Sequence, residues 1–260
     1  MAAKPQLVVT DMSGHHAQNM PETISRLQRG GSWKKQRVVV ILPAADLVPA
    51  KCVLSWWNLA FPPNNGVVKI IALGDEVGEA YSRAIEGILA HPDLSQWEYV
   101  ISIEHDNWIP ADGVIRLIER MEEHPEFAWI SGLYFTKGFA MSRTDGTGTS
   151  GGGVAQIWGD INDPLQNYRP QPPDPNGGLI ECYGTGQGFC IYRLAMFKDE
   201  RIKRPWFRTL KGKDGQGIGT QDLTFAGEAR KAGYRCAVDC SVKVGHYDLR
   251  GDFGPVDTMY

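Results

Sequence analysis

A chain of 260 residues, 42% of them hydrophobic, can bury one sizeable core, which suits a single α/β domain with long loops or a domain with a small appendage. Its formal net charge of -3 excludes a strongly basic protein but leaves local basic patches open. The five cysteines are odd in number and widely spaced, which excludes a disulfide framework and a CxxC zinc pair, and no stretch is long and apolar enough to span a bilayer.

A reducing cytosol fits this cysteine usage. The opening Met-Ala-Ala-Lys-Pro has no apolar signal core, so a cytoplasmic location is expected. Residues 1–36 are polar and weakly patterned and read as an N-terminal extension to one domain spanning 37–260. Val38 to Leu42 is a β-branched run stopped by Pro43, the pattern of a parallel strand covered on both faces. A helix is expected from about Asp46 to Leu59, with Pro49 near its start. Val67 to Leu73 is a second strand, ended by Gly74-Asp75. Glu79 to Leu89 carries Ala80, Ala84, Ile85, Ile88 and Leu89 on one helical stripe. Tyr99 to Ile103 is a third strand and runs into Glu104-His105-Asp106-Asn107.

This alternation predicts a parallel sheet with right-handed crossovers, on which ligands bind beyond the carboxyl ends of the strands. A helix from Ala111 to Met121 and a strand near Phe127 to Phe135 follow. Residues 136–178 are rich in glycine and proline and read as a long irregular loop, of the length that functional loops have. Gly188 to Tyr192 is a further strand, Gln221 to Lys231 a helix and Tyr234 to Val238 a late strand.

Four features carry chemistry. In Glu104-His105-Asp106 two acids flank one residue just after a strand, where both can reach one divalent ion such as Mn2+ or Mg2+. Alone, the tripeptide fits equally a solvated turn with Asp106 capping the next helix. Gly184-Thr185-Gly186-Gln187-Gly188-Phe189 allows a tight turn and close backbone approach to a ligand; it is neither a Walker loop nor a dinucleotide fingerprint, because a strand follows it. Thr220-Gln221-Asp222 opens a helix, where capping is the plain alternative. His246 follows the last strand.

In this order the four features resemble GT-A glycosyltransferases. Glu104-His105-Asp106 looks like their acidic metal motif, usually Asp-x-Asp. Gly184 to Phe189 resembles their glycine-rich loop, Gln221-Asp222 their Glu-Asp helix start, and His246 their C-terminal metal-binding histidine. Gly78 to Ala84 is similar to a helix of the family 2 members, and Pro43 falls at their nucleotide pocket. The likeness spans roughly residues 37 to 248. It implies a GT-A, Rossmann-like, mostly parallel sheet flanked by helices, with the long loop on the acceptor side. It further implies a metal held by Glu104, Asp106 and His246, and a nucleotide-sugar donor, a UDP-sugar first. That donor would lie against Pro43, Asp75, Arg83, Glu104, Gly186, Gln187 and Gly188. Asp222 would be the general base, which implies an inverting transfer, although the GT-A fold hosts retaining enzymes as well. Two departures stand out: Glu104 replaces an aspartate, and Gln221 replaces an acid, which leaves Asp222 as the one candidate base.

The segment from Arg201 to Lys213 interleaves cations with Trp206 and Phe207. Acceptor contacts are expected from Trp206, Arg208 and Gln221. The segment suits an anionic acceptor, DNA with a hydroxylated base being one case and a phosphorylated lipid or polymer another; a solvated loop over two packed rings is the alternative. Two other function classes are weighed. A nucleotidyltransferase needs a basic residue in its N-terminal glycine-rich loop, which Pro43-Ala44-Ala45-Asp46 does not offer. A non-catalytic nucleotide-sugar-binding module would fit the altered Gln221, but Asp106, Asp222 and His246 are all retained.

Overall fold

The computed structural model describes residues 20–44, 47–136, 140–142, 149–151, 153–162, 169–211 and 217–247. Its helices are α1 (Met20–Arg29), α2 (Ala50–Trp57), α3 (Val77–Ala90), α4 (Gly113–Glu123) and α5 (Gln221–Lys231). The strands are β1 (Val38–Ala44), β2 (Val67–Leu73), β3 (Tyr99–Ile103), β4 (Asn107–Trp108), β5 (Trp129–Leu133), β6 (Phe135–Thr136), β7 (Ala140–Ser142) and β8 (Thr149–Gly151). They continue with β9 (Val154–Ala155), β10 (Ile157–Asp160), β11 (Leu179–Thr185), β12 (Phe189–Arg193), β13 (Leu210–Lys211), β14 (Gly217–Gly219), β15 (Cys236–Lys243) and β16 (Gly245–His246).

One eight-stranded sheet organises the domain, in the order β10-β11-β15-β5-β12-β3-β1-β2. β1 pairs in parallel with β2 and β3, and β5 with β15, while β12 and β11 run against their neighbours. Six of the eight strands therefore point the same way, and their carboxyl ends share one edge of the sheet.

Alternate side chains of each central strand feed two cores. Val39 and Ile41 of β1 join a layer with Ile85 and Ile88 of α3 and Phe225 and Ala229 of α5. Val38, Val40 and Leu42 join the opposite layer with Val114, Ile115, Leu117 and Ile118 of α4. Continuous apolar runs form these strands because both faces are covered. α3 starts where Glu76 accepts hydrogen bonds from the N–H groups of Gly78 (2.9 Å) and Glu79 (3.2 Å). β2 ends at Gly74, whose φ of 82° lies in the left-handed region that glycine tolerates.

The structure departs from the sequence reading in several places. Residues 20–36, expected as an extension, pack on the domain. Trp33 is buried beside α4, and Arg26 bonds the fully buried Asp112 at 2.8 Å. An apolar anchor and an ion pair thus hold a segment whose overall polarity hides them. α2 begins only at Ala50, with Pro49 as its N-cap; residues 45 and 46 lie outside the described ones. Leu179–Thr185, not read as a strand, is β11, because pairing with β15 stabilises a run whose own alternation is weak. The described parts of 136–178 hold short strands, among them β10 at the sheet's edge. The rest of the expected acceptor loop, 137–139, 143–148, 152 and 163–168, and most of the glycine-rich 212–219 segment lie outside the described residues.

Candidate active site

β3 carries Glu104, His105 and Asp106 to the site edge of the sheet. The turn is tied on both sides: the Glu104 N–H donates to the Gly188 carbonyl at 3.0 Å, and the Asn107 N–H to the Glu104 carbonyl at 3.1 Å. Because β12 lies antiparallel beside β3, with Phe189 opposite Ile103, the glycine loop that precedes β12 meets the acidic turn that follows β3. Ser102 fastens the two, donating from Oγ to the Gln187 carbonyl (2.8 Å) and accepting from the Cys190 N–H (3.2 Å).

His246 arrives by another route. β16 pairs with β4, setting Gly245 against Trp108 and His246 against Asn107. The Tyr247 N–H donates to the Asp106 carbonyl at 2.7 Å, and the His246 Nε2 lies 3.5 Å from Asp106 Oδ2. Helix α2 supports this ribbon from behind: Trp56 Nε1 donates to the Asn107 carbonyl (3.0 Å), and Ser55 Oγ accepts from the Ile109 N–H (3.1 Å).

A cavity of about 400 Å3 opens at the carboxyl ends of β1, β2 and β3. Pro43, Ala44, Gly74, Asp75, Val77, Glu104, His105 and Asp106 line it. This is the crevice in which open α/β sheets bind ligands.

The acids are shifted in opposite directions. Burial pushes the Glu104 carboxyl well above the usual range, and the negative charges of Asp106 and Asp222 push it further. Burial would raise Asp106 as well, but the neighbouring His246 and His105 outweigh it and hold Asp106 below its ordinary value. Asp222, in the first turn of α5, is raised by burial against the opposing hydrogen bonds from Thr220 and the Leu223 N–H. Asp222 thus acts electrostatically on Glu104, beside Asp106, although more than 100 residues separate it from that turn.

Asp106 Oδ1 is buried with no hydrogen-bond partner among the described residues. An anionic oxygen in that state calls for a cation or a donor. With the His246 ring beside it, the donor set is one hard oxygen and one imidazole, a mixture that fits a transition ion such as Mn2+ better than Mg2+, which prefers oxygen throughout. Among the described residues no three His, Cys, Asp or Glu side chains gather closely enough to hold an ion. The three-residue set of Glu104, Asp106 and His246 expected from the sequence is therefore not assembled. Asp106 and His246 remain as a two-residue pair, with His246 Nε2 3.5 Å from Asp106 Oδ2.

The remaining expected residues separate into three groups. Pro43 and Asp75 line the cavity, and Arg83 bonds Asp75 through both carboxylate oxygens at 2.8 and 2.9 Å. Gly186, Gln187 and Gly188 are buried, and none is among the residues lining the cavity. Their glycines serve packing instead: a Cβ at Gly186 would lie 2.0 Å from the Tyr134 hydroxyl, and one at Gly188 would lie 2.8 Å from Asn107 Oδ1. Trp206 is corrected outright. It is 1% exposed, edge-on to Phe197 at 5.5 Å and capped by the Arg204 guanidinium at 4.8 Å, so it offers no face to an acceptor. Phe207 is buried against Phe225 at 4.5 Å. Arg208 is half-buried. Gln221 is also half-buried and packs at the junction of α5 and α3, its Cβ 3.2 Å from where a side chain on Gly78 would begin.

No protein-family model matches the chain, and no curated protein matches it. Among solved structures, the chain is similar to A197 from STIV, with a TM-score of 0.53 and 14% identity over 82% of this chain and 86% of A197. At that identity the likeness bears on the fold alone: a large, mostly parallel sheet flanked by helices. No described helix is long and apolar enough to cross a membrane.

Sequence reasoning missed Tyr134, Asn107 and Trp56. Asn107 abuts the acidic motif, and Tyr134 directly follows β5, so position at the carboxyl end of a parallel strand was the signal that could have found them.

Proposed function

We propose that this chain is a metal-assisted glycosyltransferase of GT-A type, moving a sugar from a nucleoside diphosphate to an acceptor hydroxyl. One observation carries the reading. Glu104 and Asp106 line a cavity of about 400 Å3 at the strand ends, the His246 Nε2 lies 3.5 Å from Asp106 Oδ2, and the charge of Asp222 reaches Glu104. Ligand clefts commonly hold about 300–1,000 Å3.

Asp106 and His246 would hold the ion, and Pro43, Ala44 and Val77 give the cavity an apolar wall for a nucleobase. The chemistry such an ion would supply there is neutralisation of the charge on the departing diphosphate. Asp222, its carboxyl raised by burial, is a stronger base than an exposed aspartate and takes the proton of the acceptor hydroxyl. The Arg83–Asp75 pair stands at the cavity, where it orients Asp75 toward the donor. An acceptor stacked on Trp206 or Phe207 is not part of this reading, since both rings belong to the core.

The test is a thermal-shift panel of nucleoside diphosphate sugars with and without Mn2+, followed by mass spectrometry for transfer or hydrolysis of any stabilising donor. A Mn2+-dependent shift that disappears in Asp106→Asn, with turnover lost in Asp222→Asn, is expected. Binding without turnover would make the chain a nucleotide-sugar-binding module. No shift with any donor would sink the assignment.

A further inference from the structure

We infer that Tyr134 is a positioning residue that sets the glycine loop and His246 in one register. The inference rests on the proposed function for what is being positioned, but its geometry stands apart from it. Tyr134 is 3% exposed, so it does not touch a substrate directly. Its hydroxyl accepts the Gly188 N–H at 3.1 Å, one residue before β12 begins. Its ring stacks on the His246 ring, with centroids 6.1 Å apart and planes 30° from parallel. Its carbonyl accepts the Gln156 N–H at 3.0 Å, and the Gln156 carbonyl accepts the Gly186 N–H at 3.4 Å. One residue therefore contacts the loop by hydroxyl and, through Gln156, by backbone, and contacts His246 by its ring face.

The loop is shaped to receive this ring. A Cβ at Gly186 would fall 2.0 Å from the hydroxyl and 2.7 Å from Cζ, and a Cβ at Gly188 would fall 2.9 Å from Cζ. Tyr134 thus accounts for Gly186, and Tyr134 together with Asn107 for Gly188. The same loop holds Glu104 through the Gly188 carbonyl. The route from His246 through Tyr134 and Gly188 to Glu104 is continuous contact, and Tyr134 is the member that can be altered without touching a candidate ligand. Neighbours of a metal-binding histidine that fix its ring orientation commonly govern metal affinity.

The experiment uses the full chain free of metal. The histidine rings are observed in a 15N-correlated spectrum, with His246 assigned by comparison with H246Q, and amide exchange at Gly188 is followed in parallel. Tyr134→Leu is expected to shift the His246 ring signals and to weaken binding of Mn2+ alone by about tenfold. Tyr134→Phe keeps the ring and leaves those signals in place, but removes the acceptor of the Gly188 N–H, so exchange there rises roughly fivefold. Unmoved His246 signals in folded Tyr134→Leu, or unchanged Gly188 exchange in Tyr134→Phe, would overturn the inference. Should Tyr134→Leu fail to fold, the Tyr134→Phe exchange rate still decides it. A wild-type chain that binds neither Mn2+ nor any nucleoside diphosphate overturns the proposed function instead, and the ring and amide readouts remain decisive for Tyr134.

Discussion

Gly245→Ala would place a methyl group where the indole of Trp108 already lies. The added Cβ would sit 0.8 Å from Nε1, 1.8 Å from Cδ1 and 1.9 Å from Cε2. Trp108 is 0% exposed, so the ring cannot swing into solvent without leaving the core. Either the indole is displaced or the β4–β16 ribbon opens, and the ribbon is what sets His246 beside Asp106. Overpacking a core costs about 1–3 kcal/mol, and overlap with a whole ring belongs at the upper end of that range. For a domain of this size, about 3 kcal/mol lowers Tm by roughly 6–12 °C. Calorimetry and a Mn2+ titration of the same sample are the assay. The expected result is a fall in Tm together with loss of Mn2+ binding. Gly87→Ala is the matched control: exposed in α3 with nothing within 4 Å of its new methyl, it should stabilise the chain, by about 0.5–1 kcal/mol. Wild-type melting and intact Mn2+ binding in Gly245→Ala would refute the ribbon as the carrier of His246.

Trp33→Ala should cost about 3–5 kcal/mol in urea unfolding, because Trp33 fills the core beside α4; a loss below 1 kcal/mol, small for a buried ring, would mean that residues 20–36 are dispensable. All five cysteines are buried, and burial raises Cys52 to about 12 and Cys190 and Cys240 to about 11. The native chain should therefore resist a thiol reagent at pH 8 and react fully in guanidinium. Since these folded values lie above the unfolded thiol value, the stability they contribute is present below the unfolded value and is lost as pH rises through 11 to 12. If Asp222 acts as base, kcat/KM should fall on the acid side at a pH above the ordinary aspartate value, because burial raises its carboxyl, and that limb should vanish in Asp222→Asn.

The first half of the sheet was readable because its cues are local. Val38–Leu42 and Tyr99–Ile103 are apolar runs of strand length, and α3 repeats apolar residues at helical spacing. The strand-end rule then located Pro43, Asp75 and Glu104 at one crevice without any long-range information. What stayed hidden depends on contacts remote in sequence. β11 becomes a strand through its pairing with β15, and Trp33 becomes core through α4. Trp206 and Phe207 sit among cations that suggest a surface, yet they belong to an aromatic cluster with Phe197 and Phe225. His246 could be suspected only from motif order. Its nearness to Asp106 depends on the short pairing of β16 with β4, which no periodicity reveals.

β12 runs against β3 and β5 on either side of it, with its first residue, Phe189, level with Ile103 at the end of β3 and Cys190 level with Ser131 of β5. Phe189 and Ile191 face one core, and Cys190 and Tyr192 the other. A slip of one residue would turn all four to the wrong face. The same slip would carry the Gly188 carbonyl away from the Glu104 N–H and the Gly188 N–H away from Tyr134. Misfolding and misalignment of the chemistry are thus one event in this chain. A variant that keeps its hydrophobic interior in order keeps its acids in place as well, so the accuracy of the crevice is inherited from the burial of four side chains that never meet a ligand.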